Sequence, residues 1–248
     1  SLTSPSRPPT GLKHMPTDYS KRSAKPNRQQ LVVVIADNSY SMQGEKAEAA
    51  SKGIENMILQ CQIASGEQSN FRVLLIVFAT EPYIHPQCRR TPVLEIDTDR
   101  IILRGEGGQT NMPEAFRLAR QQIEEYLAEI SDHPQQSKHP IPLVLIFSDG
   151  HNNPKFGDPV TEASVLKELR YDSLPILIVT AGVAVDEEDV PDEKLLKAIA
   201  TKTDEGVPLY VPIQRADVLS IFLANTGSSA ASTAGELHQI IRRLGYSG

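Results

Sequence analysis

Tryptophan is absent from these 248 residues, cysteine occurs only twice, and aromatic residues make up 5% of the chain. Two cysteines cannot form a disulfide framework, so a small disulfide-stapled secreted scaffold is excluded. Cys61 reads as a helix residue and Cys88 as a loop residue, both as idle free thiols, which favours a reducing cytoplasm as the setting. Long apolar runs are missing too. Leu31 to Ala36 and Val73 to Ala79 are among the longest, far short of the roughly 20 residues that cross a bilayer. The N-terminus opens with Ser, Pro and basic residues and lacks the apolar core of a secretory leader. Neither G-x-G-x-x-G nor GK[ST] occurs, so the Gly105 to Thr110 stretch reads as an ordinary glycine-containing loop rather than a phosphate cradle.

What is present is a globular composition, 40% hydrophobic and 23% charged, on a chain long enough for one α/β domain with extensions. The net charge of −6 is unevenly spread. Residues 1–29 hold six basic residues (Arg7, Lys13, Lys21, Arg22, Lys25 and Arg28) against Asp18 alone, which leaves the rest with 19 basic and 30 acidic residues, a net of −11. An acidic body repels phosphate backbones, so nucleic acid is not an expected partner. The first 29 residues, rich in Ser, Pro, Lys and Arg without apolar periodicity, read as a basic arm. Residues 30–226 read as the folded domain, and residues 227–248 as a C-terminal linker with a short helix.

From Leu31 the pattern changes. Apolar runs at Leu31 to Ala36, Phe71 to Ala79, Leu143 to Phe147, Leu174 to Thr180 and Pro208 to Ile213 alternate with amphipathic segments. Such runs, apolar at successive positions, suit strands buried on both faces. Ala50, Ile54, Met57, Ile58 and Cys61 form one stripe of a helix over 45–62, and Phe116, Ala119, Ile123, Tyr126, Leu127 and Ile130 form the stripe of a second. Asn111 stands as N-cap of that second helix, with Pro113 in its first turn. Shorter helices are expected over 161–169, 193–201, 217–224 and 235–244. Alternating strands and helices imply a doubly wound, mostly parallel Rossmann-like α/β sheet with helices on both faces, whose ligands sit beyond the carboxyl ends of the strands.

Those ends carry the chemistry. Asp37-x-Ser39-x-Ser41 follows the first strand, Gly107-Gly108-Gln109-Thr110 precedes the second helix, and Ser148-Asp149-Gly150 ends the middle strand. Two carboxylates and three hydroxyls, with no Cys or His among them, form a hard oxygen donor set that suits Mg²⁺, Mn²⁺ or Ca²⁺ and disfavours zinc. Singly, a D-x-S-x-S or an Asp-Gly is a common turn or cap; the three together are not. His151, Glu81, Asn152 and Asp158 lie nearby without an assigned role, and the acidic run Asp186 to Glu193 reads as a solvated loop feeding a helix N-terminus.

The run Asp37-Asn38-Ser39-Tyr40-Ser41-Met42, then Gly107-Gly108-Gln109-Thr110, then Phe147-Ser148-Asp149-Gly150 resembles the metal-ion-dependent adhesion site (MIDAS) of von Willebrand factor A domains. The resemblance spans roughly residues 30–225. It implies a Rossmann-like sheet with one antiparallel edge strand. It also implies a cation held directly by Ser39 and Ser41, by Thr110 directly or through water, and by Asp37 and Asp149 mainly through water. The open coordination position would take an Asp or Glu from a partner protein. Tyr40 stands where many members have glycine, though integrin β-subunit domains also carry tyrosine there. The compact layout and the segment 222–233 are similar to bacterial stand-alone A domains associated with tellurite resistance, which implies a role in stress or defence. A binding module rather than an enzyme is therefore expected. The alternative is a Mg²⁺-dependent, phosphatase-like hydrolase with Asp37 as nucleophile. It lacks the second carboxylate two residues on, where Ser39 stands, and a lysine after the middle strand to hold a phosphoryl group.

Overall fold

The computed structural model describes residues 28–65, 69–131, 141–171, 173–186 and 188–213, together with Gln239 and Arg242. The arm up to residue 27, the segment 222–233 and the helices expected over 217–224 and 235–244 lie outside the described residues, apart from those last two positions.

The first strand, β1 (Arg28–Asp37), takes up the Leu31 to Ala36 run and begins two residues before the expected domain boundary. It pairs in parallel with β2 (Ser69–Phe78) on one side and with β4 (Leu143–Ser148) on the other. Beyond β4 lie β7 (Leu177–Gly182) and β8 (Tyr210–Pro212), both parallel, and beyond β2 lies the antiparallel β3 (Tyr83–Pro92). The order across the sheet is β3-β2-β1-β4-β7-β8. A doubly wound sheet with one antiparallel edge strand is thus what the chain forms.

The continuous apolar runs exist because both faces of the sheet are covered. Val32, Val34 and Ala36 of β1 join a core with Ala50, Ile54, Met57 and Cys61 of α1 (Glu45–Ala64). The alternate residues Leu31, Val33 and Ile35 join the opposite core, with Phe116, Ala119 and Ile123 of α2 (Met112–Ser131) and Ala163 and Leu166 of α3 (Pro159–Glu168). Ile199 of α4 (Glu193–Ile199) packs in this second core as well. A period of two along each strand divides the side chains between the layers.

Two sequence readings need correction. Cys88 lies not in a loop but in β3, fully buried. Its strand, with Pro86, Pro92, Arg89 and Arg90, has no apolar signature because it is a half-exposed edge, and its pairing with β2 slips at Leu74, opposite a stretch that includes Arg90 at φ 57°. The Leu174 to Thr180 run is also not one strand. Leu174–Pro175 (β6) turns back on Arg170–Tyr171 (β5) as a two-residue antiparallel pair before β7 starts at Leu177.

What positions the site is the change of winding direction. From β1 the chain proceeds outward to β2 and β3, then returns to lay β4 on the other flank of β1. The β1–β4 boundary is therefore the switch point, where diverging connections leave a crevice beyond the strand ends.

Candidate metal centre

Asp37 closes β1 and Asp149 follows β4, so parallel pairing of these strands sets the two carboxylates at the same end of the sheet, in the crevice. Both are completely buried, as is Ser148, while Ser39 and Thr110 are nearly so; Ser41 is exposed. All five sequence-predicted donors fall on the three loops at this end.

Local hydrogen bonds shape the first loop. The Ser39 amide donates to Asp37 Oδ1 at 2.9 Å, an Asx-type turn that folds the chain back over the carboxylate. A short 3₁₀ turn over Tyr40–Met42 then brings the Ser39 and Ser41 hydroxyls to 3.2 Å from each other. Metal–oxygen bonds of 2.0–2.1 Å to Mg²⁺ place adjacent octahedral corners about 3 Å apart. The hydroxyl pair fits that spacing.

The second loop is bound tightly to the first. Gly107 N donates to Asn38 O at 2.9 Å and Tyr40 N to Gly108 O at 2.9 Å. The Asn38 side-chain oxygen accepts from the amides of Arg104 and Gly105, each at 2.8 Å. Approach this close needs residues without Cβ. A Cβ on Gly107 would overlap that of Ala79, and Gly108 has φ +101°, a left-handed conformation that side chains rarely adopt. Asn111 caps α2 as expected, accepting from Glu114 N at 3.3 Å. Thr110 is tied to the third loop by its carbonyl, which accepts from Asn153 N at 3.0 Å.

The third loop completes the enclosure through Ser148, a residue that sequence reasoning notes only as the neighbour of Asp149. Its hydroxyl donates to Asp37 Oδ2 at 2.6 Å and accepts from Gly150 N at 2.9 Å, joining β4 directly to the β1 carboxylate. Asp149 Oδ1 accepts from His151 N at 3.1 Å, and Oδ2 from Lys46 Nζ at 3.1 Å. The same Lys46 Nζ lies 2.8 Å from Asp189 Oδ1, so the acidic run is not wholly a solvated loop. Asn152 orients α2 by accepting from Met112 N at 3.1 Å, Asp158 caps α3, and His151 and Glu81 are exposed.

Electrostatically the centre concentrates buried negative charge. Burial pushes the Asp37 carboxyl up to about 6 against the hydrogen bonds from Ser148 and Ser39, and the neighbouring Asp149 adds to the rise. Lys46 is held above its ordinary value despite burial, by its bonds to Asp189 and Asp149. Burial pushes the free thiols of Cys61 and Cys88 up to about 12, so both are inert at neutral pH.

A family model for the von Willebrand factor type A domain matches residues 31–217. No curated protein sequence matches the chain significantly. Among solved structures, BatB of Bacteroides thetaiotaomicron, described as a conserved hypothetical protein, superposes with a TM-score of 0.53 at 17% identity, over 81% of this chain and 100% of its own. Proximal thread matrix protein 1 from the mussel byssus, solved with a zinc-occupied MIDAS motif, gives 0.51 at 15% identity, over 80% of this chain and 45% of its own. Manganese-loaded TRAP of Plasmodium vivax gives 0.50 at 16% identity, over 80% and 74%. At these identities the likeness is one of fold.

Two outcomes are expected. In EDTA, Asp37→Asn stabilises the protein at pH 7. A carboxyl whose folded pKa is raised from 3.8 to about 6 loses stability as pH rises through that window, by on the order of 3 kcal/mol at full ionisation. The gain should shrink towards pH 4, and denaturant titrations showing a gain independent of pH, or none, would contradict the burial argument. Gly107→Ala should cost roughly 1–3 kcal/mol by forcing Ala79 and the threonine loop apart, which thermal unfolding would register; an unchanged melting temperature would show that the loop yields freely.

Proposed function

The chain belongs to the von Willebrand factor type A domain family, and from that premise we propose that it binds a partner protein through one divalent cation held by Asp37, Ser39, Ser41, Thr110 and Asp149. The observation that carries this reading is the arrangement of the two buried carboxylates. Asp37 has both oxygens engaged, by Ser39 N and the Ser148 hydroxyl, and Asp149 has both engaged, by His151 N and Lys46. Each retains lone pairs, but both are fixed behind the hydroxyls rather than presented to solvent. They supply buried negative charge, while Ser39 and the exposed Ser41 offer a neutral hydroxyl pair beside them. A cation in this cradle would act as a Lewis acid with an unfilled position facing outward. An Asp or Glu of the partner fills that position.

Magnesium is the cation best suited to the all-oxygen set, with manganese or calcium as substitutes. The zinc in the MIDAS motif of the mussel protein and the manganese in the TRAP protein support a divalent ion of some kind. Von Willebrand factor type A domains generally serve as interaction modules rather than enzymes. The hydrolase alternative gains nothing from the geometry, because Asp37 is fully buried and hydrogen-bonded at both oxygens, the opposite of a free nucleophile. Among the described residues no helix is long and apolar enough to cross a membrane. A cytoplasmic setting rests on the two unpaired thiols, and a bacterial stress or defence role on the resemblance of segment 222–233. Arg28 and Gln29 belong to β1, so the basic segment proposed to meet an acidic surface, on the partner or on the domain itself, is residues 1–27.

Magnesium should raise the melting temperature, since a ligand bound only by the native state adds on the order of 3 kcal/mol at a hundredfold excess over Kd. Asp37→Ala should abolish that rise while leaving the fold intact. A partner captured from native lysate in magnesium should be released by EDTA and held weakly by Thr110→Ala, a central contact of this kind exceeding about 2 kcal/mol. A complex that forms equally well in EDTA and tolerates Thr110→Ala with Asp149→Ala would place the interface on another face.

A further inference from the structure

Lys46 is the second residue of α1, where the positive end of the helix dipole disfavours a cation and the neighbouring Glu45 and Glu48 are the residue type expected. Its side chain is nevertheless turned inward, 13% exposed, with Nζ at 3.1 Å from the fully buried Asp149 and 2.8 Å from Asp189. A lysine with only a surface role has no reason to be held there.

We propose that Lys46 is a built-in positive charge that sets the net charge of the metal centre, weakening cation binding and leaving the loaded site in need of an external carboxylate. This rests on the reading of the site as a cation centre. Asp37 and Asp149 together carry two negative charges, which a divalent ion alone would cancel, leaving no electrostatic demand for a further anion. With the Lys46 ammonium on Asp149 Oδ2 the same ion leaves Asp37, Asp149 and Lys46 one charge positive, an excess that the more solvated Asp189 offsets only in part and that an incoming carboxylate neutralises. Asp189 grips the ammonium from its outer side. At 25% exposure it is better solvated than Asp149, so its charge is more screened, and its role is to hold Lys46 in register. The contact also ties the 184–192 connection to the centre, alongside the bond from Asp192 N to Asp149 O at 2.7 Å. Lys46 is thus a positioning and affinity-setting residue that touches a carboxylate of the centre, not the cation itself.

The sign of the effect separates this role from a structural one. Lys46→Met keeps the length and the apolar stem but removes the charge. It should tighten Mg²⁺ binding by about tenfold in calorimetry, the effect of one unit charge on a divalent ion across several ångströms of well-screened medium. Lys46→Arg, which keeps the charge, should retain the weaker wild-type affinity. Asp189→Asn, which leaves the ammonium wholly to Asp149, should weaken Mg²⁺ binding. Circular dichroism establishes that each variant is folded, and a misfolded Lys46→Met is replaced by Lys46→Gln with the same expectation. If wild type binds Mg²⁺ and the uncharged variants bind it equally or more weakly, Lys46 is only a brace for Asp149 and the charge-setting role is overturned while the metal centre stands. If wild type binds no Mg²⁺ or Mn²⁺ at all, the metal reading fails and this inference fails with it.

Discussion

Everything at the carboxyl end of this sheet follows from burying two like charges next to each other. Parallel pairing of β1 with β4 brings Asp37 and Asp149 into one crevice at the switch point, both without access to water. Isolated buried carboxylates are costly, and two of them more so. The chain therefore surrounds them with donors: the Ser39 and His151 amides, the Ser148 hydroxyl and the Lys46 ammonium. Even so, Asp37 is held well above the ordinary carboxylate range. It is this buried pair that the proposed cation would neutralise.

The remaining architecture ties the three loops around that pair to one another. Backbone bonds run from the first loop to the second through Asn38, Tyr40, Gly107 and Gly108, and from the second to the third through Thr110 and Asn153. Asn38 lies between two site residues yet points away from the centre, fixing Arg104 and Gly105 by their amides. Rigid strands beneath and cross-bonded loops above are what a preorganised cation cradle requires. The same features hold both Asp37 oxygens in hydrogen bonds, an arrangement that favours a supporting role over that of a free nucleophile.

Much of this was legible in the sequence, and for identifiable reasons. The strands of the sheet centre read as unbroken apolar runs because helices cover both faces, and the five candidate donors lie in short motifs next to those strands. What escaped detection lacks a local signal. The edge strand Tyr83–Pro92 is half exposed, carries two prolines and pairs irregularly, so Cys88 passed for a loop residue. Lys46 carries no local signal in the sequence, since its two partners lie 103 and 143 positions further along the chain. Ser148 was visible in its motif, but its bond to Asp37 spans 111 positions and depends on the β1–β4 pairing, which only the sheet order reveals.

The proposed centre holds one cation between the hydroxyls of Ser39, Ser41 and Thr110, backed by Asp37 and Asp149. Anomalous diffraction from crystals grown with Mn²⁺ tests it most directly. A single strong anomalous peak is expected within bonding distance of the Ser39 and Ser41 oxygens, about 2.0–2.3 Å for a hard divalent ion, and none elsewhere in the domain. A cradle without a peak, or a peak over the acidic residues 186–193 instead, would contradict it.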